Sequence, residues 1–411
     1  MTTRAAARLP GWAAPLGATL LMQITGSMVG QSIAVAGPVL TASLHIAPQR
    51  IGELSALSAL GTLLFFAFGG PVLARLGPVR MLQVGAALAA AGMVLAGVGW
   101  WPVLVLAVLV QGVGYAPVAP ASSRILAETA PHGHRALIFC IKQSGAPAGN
   151  ALAGLLVAPA ALLLGWRLAL VLAGVVGLVA AVVIAPLRGH LDRGREPARP
   201  IHPGALFHWQ TLVTPVRALR EDGDLARLTV LAVSYAVAQG CLFAFTVTYL
   251  ATVLGFGLRR AGLAYAVLQG AGIVARIGLG LAADRSARPA RNLAWQGVGA
   301  ATMVALFALL PVHAPMPMVL AVCALTGLFA ASWNGIFLAE VARLAPPGRV
   351  ADATSGSLMF IFATYVIAPA GFSALISLVG GWRLPLLLLA AQLGVVALWQ
   401  SVVLARRGRA G

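Results

Sequence analysis

The sequence predicts an all-α polytopic membrane protein, with twelve transmembrane helices in two pseudo-symmetric six-helix bundles. Of its 411 residues, 60% are hydrophobic and only 9% are charged, whereas a soluble domain carries roughly a quarter charged residues. The charges form short clusters between apolar runs of about 20 residues, the length that crosses a bilayer as a helix. A β-barrel would require alternating apolar and polar residues, and these runs do not alternate.

The apolar runs define the spans in order. The first run exceeds the apolar core of a secretory signal, which is about 7–15 residues long, so we interpret it as an uncleaved span. The polar stretch 188–224 is expected to be a cytoplasmic linker between a first bundle (1–187) and a second (225–411). The predicted spans are 12–37, 51–71, 81–99, 103–123, 137–163, 166–187, 225–253, 261–283, 293–312, 316–340, 354–378 and 382–404.

The net charge of +18 reflects basic loops and does not indicate nucleic-acid binding, because the arginines flank apolar spans. Basic residues favour the cytoplasmic side of a membrane. We therefore expect a multi-pass protein of the cytoplasmic (inner) membrane with both termini in the cytoplasm. The basic residues outside cytoplasmic segments are then Arg50, Arg167, Arg259, Arg260 and Arg383 on the far side and Arg276 within a span.

Short motifs repeat between the two bundles at nearly one spacing. LAE occurs at 126–128 and 338–340, and GWR at 165–167 and 381–383. The turn GPVLARLGPVR at 70–80 is echoed by GLAADRSARPAR at 280–291. Parallel repeats of this kind are typical of a two-domain transporter whose site lies between its halves.

With these features the chain resembles the major facilitator superfamily over essentially its whole length. The two turns look like the superfamily signature Gly-x-x-x-Asp-Arg-x-Gly, although Ala74 replaces the first carboxylate and Ala287 the second later glycine. The resemblance implies alternating access without a cofactor, and a cytoplasmic gate near these turns. The expected gate residues are Gly70, Arg75, Gly77, Arg80, Glu128, Gly280, Asp284, Arg285, Glu340 and Asp352.

Within this gate, the resemblance implies that the signature carboxylate meets a helix N-terminus in the other bundle, because helix N-termini favour negative charge. Asp284 should then face the start of span 5, and Asp352 should cap span 11 locally. Glu128 follows Arg124 by one helical turn and Glu340 precedes Arg343 by nearly one, so we expect each acid to form a structural ion pair.

The fifth span, RALIFCIKQSGAPAGNALAG at 135–154, resembles that of sugar porters. In that family the glutamine lines the central cavity, which implies the same place for Gln143, with Lys142 beside it. The span lacks the Gly-Pro-x-x-Gly-Gly ending of drug exporters.

Arg276 lies in span 8, roughly 12 Å inside the cytoplasmic end, where an arginine costs at least about 2.5–3.5 kcal/mol. It could bind a carboxylate through its guanidinium fork, or it could extend to the inner surface or pair with a helix end. Lys142 has the same two alternatives: it could reinforce Arg276 at the substrate, or reach the inner headgroups.

Several uncharged polar residues could also contact a substrate, although polar contacts between helices are an equal alternative for each. No span carries a mid-membrane Asp, Glu or His, which disfavours a cation carrier and leaves the coupling ion open. The polar candidates are Asn150, Tyr235, Gln239, Gln269 and Asn334.

The sequence therefore predicts a secondary active transporter that moves a small solute, most consistent with an organic anion, by alternating access. A multidrug or metabolite exporter of the same fold is the alternative. An intramembrane enzyme ranks low, because no catalytic constellation is found at membrane depth. The expected partners are the small-molecule substrate, the lipid bilayer and a coupling ion, either a proton or an exchanged anion. No nucleic acid, metal or cofactor is expected, and the protein is expected to be a monomer.

Overall fold

The computed structural model describes residues 11–131, 135–201, 223–284, 289–345 and 350–410. Within these ranges the chain is helical and contains no β-strand. The side chains of some residues inside helices, including those of Asp284 and Asp352, lie outside this description.

The first bundle is built from long helices joined by short turns. A π-helical turn, Ala153–Val157, links α7 to α8, and a 3-10 turn, Pro48–Arg50, precedes α2. The helices are α1 (Ala13–Ser43), α2 (Ile51–Phe68), α3 (Gly70–Leu76), α4 (Pro78–Ala96), α5 (Trp101–Tyr115), α6 (Val118–Thr129), α7 (Arg135–Leu152), α8 (Ala158–Leu163), α9 (Trp166–Val183) and α10 (Arg188–Leu191).

The second bundle follows the same plan. A π-helical turn, Tyr249–Val253, extends its first helix. Its helices are α11 (Gly223–Thr248), α12 (Gly257–Asp284), α13 (Pro289–Ala308), α14 (Met316–Ala330), α15 (Asn334–Leu344), α16 (Val350–Val379) and α17 (Arg383–Ala410).

Eleven helical segments in the described ranges are long and apolar enough to cross a membrane. The remaining predicted span, the ninth, corresponds to α13, which packs against α14 and α17 in the second bundle. Its first half carries Arg291, Asn292 and Gln296, which lower its hydropathy. With α13, the helices match the twelve spans predicted for this fold.

Two predicted spans are each broken into two helices, at equivalent places in the repeat. Span 4 breaks between α5 and α6, where Pro117 precedes α6 and cannot donate a backbone hydrogen bond. Span 10 breaks at residues 331–333, between α14 and α15. Helix ends leave backbone carbonyls without an intrahelical partner, so both breaks place available carbonyls deep in the molecule.

The two bundles pack together most closely at one end. We call the end that carries the turn at 70–80 the basic end, and the other the opposite end. A Cβ on Gly262 of α12 would lie 2.4 Å from the Gly154 carbonyl oxygen, and one on Gly52 would lie 2.4 Å from the Pro369 carbonyl oxygen. All four residues lie in the half of their helix nearer the opposite end, so glycine permits the backbones of the two bundles to touch there.

The buried apolar residues show the same asymmetry. Val35, Leu40 and Leu54 belong to a core cluster that continues into the second bundle. Nearer the basic end, Met22 and Val79 belong to a cluster that contains residues of the first bundle only, within the described part of the chain. Within the described part of the chain, the two bundles are therefore in close apolar contact toward the opposite end.

Candidate functional site

A cavity of about 360 Å³ lies between the two bundles, within the range of about 300–1,000 Å³ that is usual for small-molecule sites. Helices α1, α2, α5, α6 and α7 line it from the first bundle, and α11, α12, α15 and α16 line it from the second. Six predicted substrate residues line this cavity: Gln143, Asn150, Gln239, Gln269, Arg276 and Asn334.

Arg276 bridges the two bundles. Its Nη1 donates a hydrogen bond to the carbonyl oxygen of Gln143 in α7 at 3.2 Å, and its Nη2 donates one to the carbonyl oxygen of Ala331 at 2.9 Å. The Ala331 carbonyl is available because α14 ends at Ala330. The guanidinium is half-buried and is held in place by neutral backbone groups of both bundles, rather than extending to the membrane surface.

The second bundle adds neutral polar groups around Arg276. The Tyr365 hydroxyl donates a hydrogen bond to Gln239 Oε1 at 2.7 Å, and Gln269 Nε2 donates one to the Tyr265 hydroxyl at 2.9 Å. Among the described residues, Asn334 Oδ1 and Gln269 Oε1 are buried and have no hydrogen-bond partner. Buried acceptors of this kind are usually satisfied by an ordered water.

The first bundle faces Arg276 with uncharged hydrogen-bonding side chains. Gln23 Nε2 donates hydrogen bonds to the Ser27 hydroxyl at 3.1 Å and to the Tyr115 hydroxyl at 3.2 Å. Ser58 donates one to Gln111 Oε1 at 2.7 Å. Gln111 Nε2 is buried without a partner among the described residues. This side of the cavity can both donate hydrogen bonds to a hydroxylated solute and accept them.

Aromatic rings form a third part of the wall. Phe66 of α2 and Phe362 of α16 meet across the bundles with ring centroids 4.8 Å apart, edge to face. Phe362 also contacts Tyr365, at 6.0 Å. The sequence does not identify these rings as substrate-contacting residues, because an aromatic residue in an apolar span usually packs against other helices or lipid.

Two predicted substrate residues do not line the cavity. Tyr235 is fully buried inside the second bundle, where its hydroxyl donates to the Leu293 carbonyl oxygen at 2.9 Å and its ring stacks on Trp333 at 5.3 Å. It lies one turn before Gln239, toward the basic end of α11, and packs against α13 and α15 instead of facing the first bundle.

Lys142 is the second predicted substrate residue that does not line the cavity. Its side chain is only 2% exposed, and its Nζ donates a hydrogen bond to Gln143 Oε1 at 3.1 Å. The alternative in which Lys142 reaches the headgroups is wrong for this structure, because a side chain that extended to the membrane surface would be exposed. Lys142 instead points into the first bundle, directly behind a residue of the cavity wall.

A carboxylate from a distant segment contacts the first basic turn, and the sequence does not predict it there. Asp192, directly after α10, accepts hydrogen bonds from the backbone N–H of Val79 at 2.7 Å and of Arg80 at 3.1 Å. These are two of the free donors at the N-terminus of α4. A Cβ on Gly77, whose φ is +89°, would lie 2.7 Å from the Asp192 carboxylate, so glycine is required there for two reasons. Ala74 replaces the signature aspartate of this turn, and Asp192 brings a carboxylate to the turn from the segment after α10.

The remaining gate residues lie at the basic end. Arg75 is exposed and Arg80 is half-buried, and Gly70 begins α3. Both expected ion pairs are present, Arg124–Glu128 at 3.4 Å and Arg343–Glu340 at 2.8 Å. The hydrogen bond to Glu340 raises the pKa of Arg343.

The expected contacts of the second signature turn fall outside the described part of the chain. Gly280 and Asp284 lie at the end of α12, and Asp352 lies in the first turn of α16. Arg285 is outside the described residues, as are the Asp284 and Asp352 side chains.

An all-helical membrane protein with a cavity between two packed bundles has the architecture of a transporter. The family model described as Major Facilitator Superfamily matches residues 19–355. The chain therefore belongs to the major facilitator superfamily.

Comparison with individual proteins gives one curated relative and many solved structures. The hexuronate transporter of Bacillus subtilis (strain 168) is 25% identical over 154 residues, which is 37% of this chain and 36% of that relative. Three solved structures show the same fold, each at 14–16% identity over at least 95% of both chains. They are a bacterial homologue of the human lysosomal transporter Spinster, inward-facing and unoccupied (TM-score 0.72), a variant of the nucleoside transporter NupG (0.76), and a peptide transporter POT in complex with sulfate (0.76).

Proposed function

We propose that this protein carries a small organic anion across the cytoplasmic membrane by alternating access, and that Arg276 binds the carboxylate of the substrate. One observation carries the proposal. Among the described residues that line the cavity, Arg276 is the one with a formal charge. A guanidinium provides five N–H donors in a planar fork, which match a carboxylate.

Hydroxylated acids fit this cavity best. Amides and hydroxyls of the first bundle face the cation across the cavity, and amide residues of the second bundle also line it. A sugar acid would place its carboxylate at Arg276 and its hydroxyls against these groups. The curated relative that matches part of the chain is a hexuronate transporter, which supports the same substrate class.

The orientation follows from the charge distribution. If the basic end faces the cytoplasm, as the excess of arginine in those loops indicates, the cavity opens to the cytoplasm and the packed glycines close the outer side. Rocking of the bundles about the cavity would exchange these two arrangements. The π-helical turn Ala153–Val157 and α12, which touch at Gly154 and Gly262, would then separate.

The aromatic wall supports one alternative. Phe66, Phe362 and Tyr365 offer ring surfaces to a more apolar solute, as an exporter of drugs or metabolites would require. The single cation nevertheless disfavours cationic drugs, because binding them beside Arg276 would oppose like charges.

Counterflow in proteoliposomes tests the proposal. Wild-type protein is expected to exchange labelled glucuronate and to reject glucose, which has nearly the same shape without the carboxylate. Arg276→Ala is expected to lower the specificity constant by about tenfold or more, because a hydrogen bond to a charged group is worth about 1.5–3 kcal/mol. Arg260→Ala, which removes an exposed arginine of the same helix, is the matched control and is expected to behave like wild type.

Two results would contradict the assignment. One is glucuronate exchange that is the same in the Arg276→Ala and Arg260→Ala proteins. The other is a wild-type protein that exchanges no carboxylate among glucuronate, gluconate, lactate and benzoate, yet moves a lipophilic cation such as ethidium. The second result would favour the exporter.

A further inference from the structure

We propose that Lys142 is the proton-binding site that couples transport to the proton gradient, so that one proton accompanies each organic anion. The inference rests on the proposed anion transport and adds the coupling ion to it. Its starting point is a conspicuous placement: Lys142 is the single lysine among 28 basic residues, and it is the buried basic side chain of the described part of the chain.

The residue type suits this role. Arginine stays protonated at any physiological pH, whereas a buried lysine can release its proton. Burial disfavours a charged ammonium group unless an opposite charge compensates it. The other Lys or Arg residues of this chain are all arginines, and among the described ones Lys142 is the buried one. An arginine at this position could supply a permanent positive charge, but it could not release and rebind a proton.

Among the side chains that the structure describes, Lys142 contacts no group of opposite charge. Within the described residues its Nζ has one hydrogen-bond partner, the neutral Gln143 Oε1, and it takes part in no ion pair. Helices α1, α6 and α12 pack against α7. Helix α1 carries no charged residue, and Arg124 and Glu128 of α6 pair with each other. Of the α12 side chains that the structure describes, the titratable ones are those of Arg259, Arg260, Tyr265 and Arg276.

Gln143 connects this site to the substrate cavity. Its side-chain oxygen accepts from Lys142 Nζ at 3.1 Å, while its backbone oxygen accepts from Arg276 Nη1 at 3.2 Å. One residue of the cavity wall therefore contacts both cations. An anion at Arg276 would bring negative charge near Lys142 and favour its ammonium form, because an opposite charge nearby stabilises a charged group.

The proposed cycle balances in protons and charge. On the side where the proton concentration is higher, the neutral amine binds one proton and becomes an ammonium group as the anion binds at Arg276. After the bundles rock, the anion leaves, the ammonium group loses its electrostatic partner, and the proton returns to water. A monovalent anion and one proton cross together, so no net charge is moved in the loaded step.

Uptake driven by a pH gradient tests the coupling. With glucuronate as probe and a gradient of about one pH unit, a one-to-one symporter accumulates the anion about tenfold, since each unit is a tenfold difference in proton activity. The measured quantity is the ratio of gradient-driven uptake to exchange in the same protein. This ratio is expected to fall to the level without a gradient in Lys142→Met and Lys142→Arg, which cannot exchange a proton. Arg188→Met, which removes an exposed cation at the basic end, is expected to keep it.

Lys142→His gives a variant that can still carry a proton. Histidine titrates near pH 6.5 and unperturbed lysine near 10.4, so the pH profile of gradient-driven uptake is expected to move to lower pH. Gradient-driven accumulation that persists in Lys142→Met and Lys142→Arg would overturn the proposal. If wild-type protein exchanges glucuronate but its uptake does not depend on the pH gradient, the proposal of proton coupling is wrong while the proposal of anion transport is retained.

A direct titration does not depend on transport. Because the chain has one lysine, protein labelled with lysine carrying carbon-13 at Cε gives a single side-chain resonance in nanodiscs. We expect this resonance to leave the ammonium position below about pH 10.4, where an unperturbed lysine titrates, and added glucuronate to favour the protonated position at a given pH. A resonance that stays at the ammonium position up to that pH would overturn the proposal, even if glucuronate is not the substrate.

Discussion

At the scale of single residues, the site contains two basic side chains, Arg276 and Lys142, whose hydrogen-bond acceptors are neutral. Two backbone carbonyls from different bundles position the Arg276 guanidinium, and one amide oxygen contacts the Lys142 ammonium group. Neither set of acceptors carries a formal charge, so both cations remain responsive to an anion that enters the cavity. An acid in either place would have fixed a salt bridge and weakened that response.

At the basic end, the side chain of Asp192 caps the N-terminus of α4. It closes the N-terminus of α4 from a distant segment, and the backbone N–H of Glu196 donates to the Ala74 carbonyl oxygen at 2.8 Å, so the chain after the first bundle is tied to the signature turn. Asp192→Ala is expected to cost about 0.5–2 kcal/mol, as other N-cap removals do. The thermal midpoint in detergent should then fall by a few degrees.

Two companion variants make the Asp192 measurement specific. Asp192→Asn keeps an acceptor oxygen and should recover most of the stability. Glu196→Ala removes an exposed carboxylate from the same segment and should leave the midpoint unchanged. If Asp192→Ala and Glu196→Ala melt alike, Asp192 is not the cap of α4.

At the scale of elements, the break in span 10 is the feature that builds the site. It releases the Ala331 carbonyl, which receives hydrogen bonds from Arg276 at 2.9 Å and from Gln239 at 3.5 Å. Gln296 of α13 supports this break, because its Nε2 donates to the Phe329 carbonyl oxygen at 3.0 Å and to the Ser332 hydroxyl at 2.9 Å. A helix outside the cavity therefore positions a carbonyl inside it.

Gln296→Leu should show this coupling. Removing the amide is expected to destabilise the protein by about 1 kcal/mol, the net value of a typical hydrogen bond, and to raise the KM for the transported anion severalfold, because the anchor of Arg276 shifts. Gln392→Leu removes another amide of the same bundle, one that bonds Ser234 at 2.8 Å, and should lower stability without changing KM. An unchanged KM in both proteins would mean that the break does not depend on Gln296.

The sequence predicts such elements unevenly, for physical reasons. Apolar runs and basic loops report on each helix separately, so the spans and the family follow from local pattern. Six of eight candidate substrate residues line the cavity because polar groups in apolar spans usually face protein. The direction of Tyr235, the burial of Lys142 and the reach of Asp192 to α4 depend on packing between distant segments, which no local pattern contains.

At the scale of the whole molecule, the contact between the π-helical turn Ala153–Val157 and α12 holds the opposite end closed. Gly154 and Gly262 bring two backbones together at the opposite end, and Gln49 of the first bundle donates a side-chain hydrogen bond to Ser377 of the second at 3.3 Å. Packed interfaces of this kind switch between discrete arrangements instead of deforming gradually. The arrangement that is closed at the opposite end is thus stabilised by a few close contacts that an arrangement open there must break.

Gly262→Ala should shift that balance. Its added Cβ would lie 2.4 Å from the Gly154 carbonyl oxygen, too close for real atoms, so the arrangement closed at the opposite end loses stability relative to the one open there. Gly270→Ala is the matched control on the same helix, because a Cβ at that position meets no atom within 4 Å. Spin labels placed through Ala47→Cys and Leu378→Cys, at exposed positions beside the Gln49–Ser377 contact, report the distance across this end in a protein whose native cysteines are replaced. The long-distance population should grow with Gly262→Ala and stay at the wild-type level with Gly270→Ala. Equal distance distributions for the two variants would show that the glycine contact does not hold the bundles together.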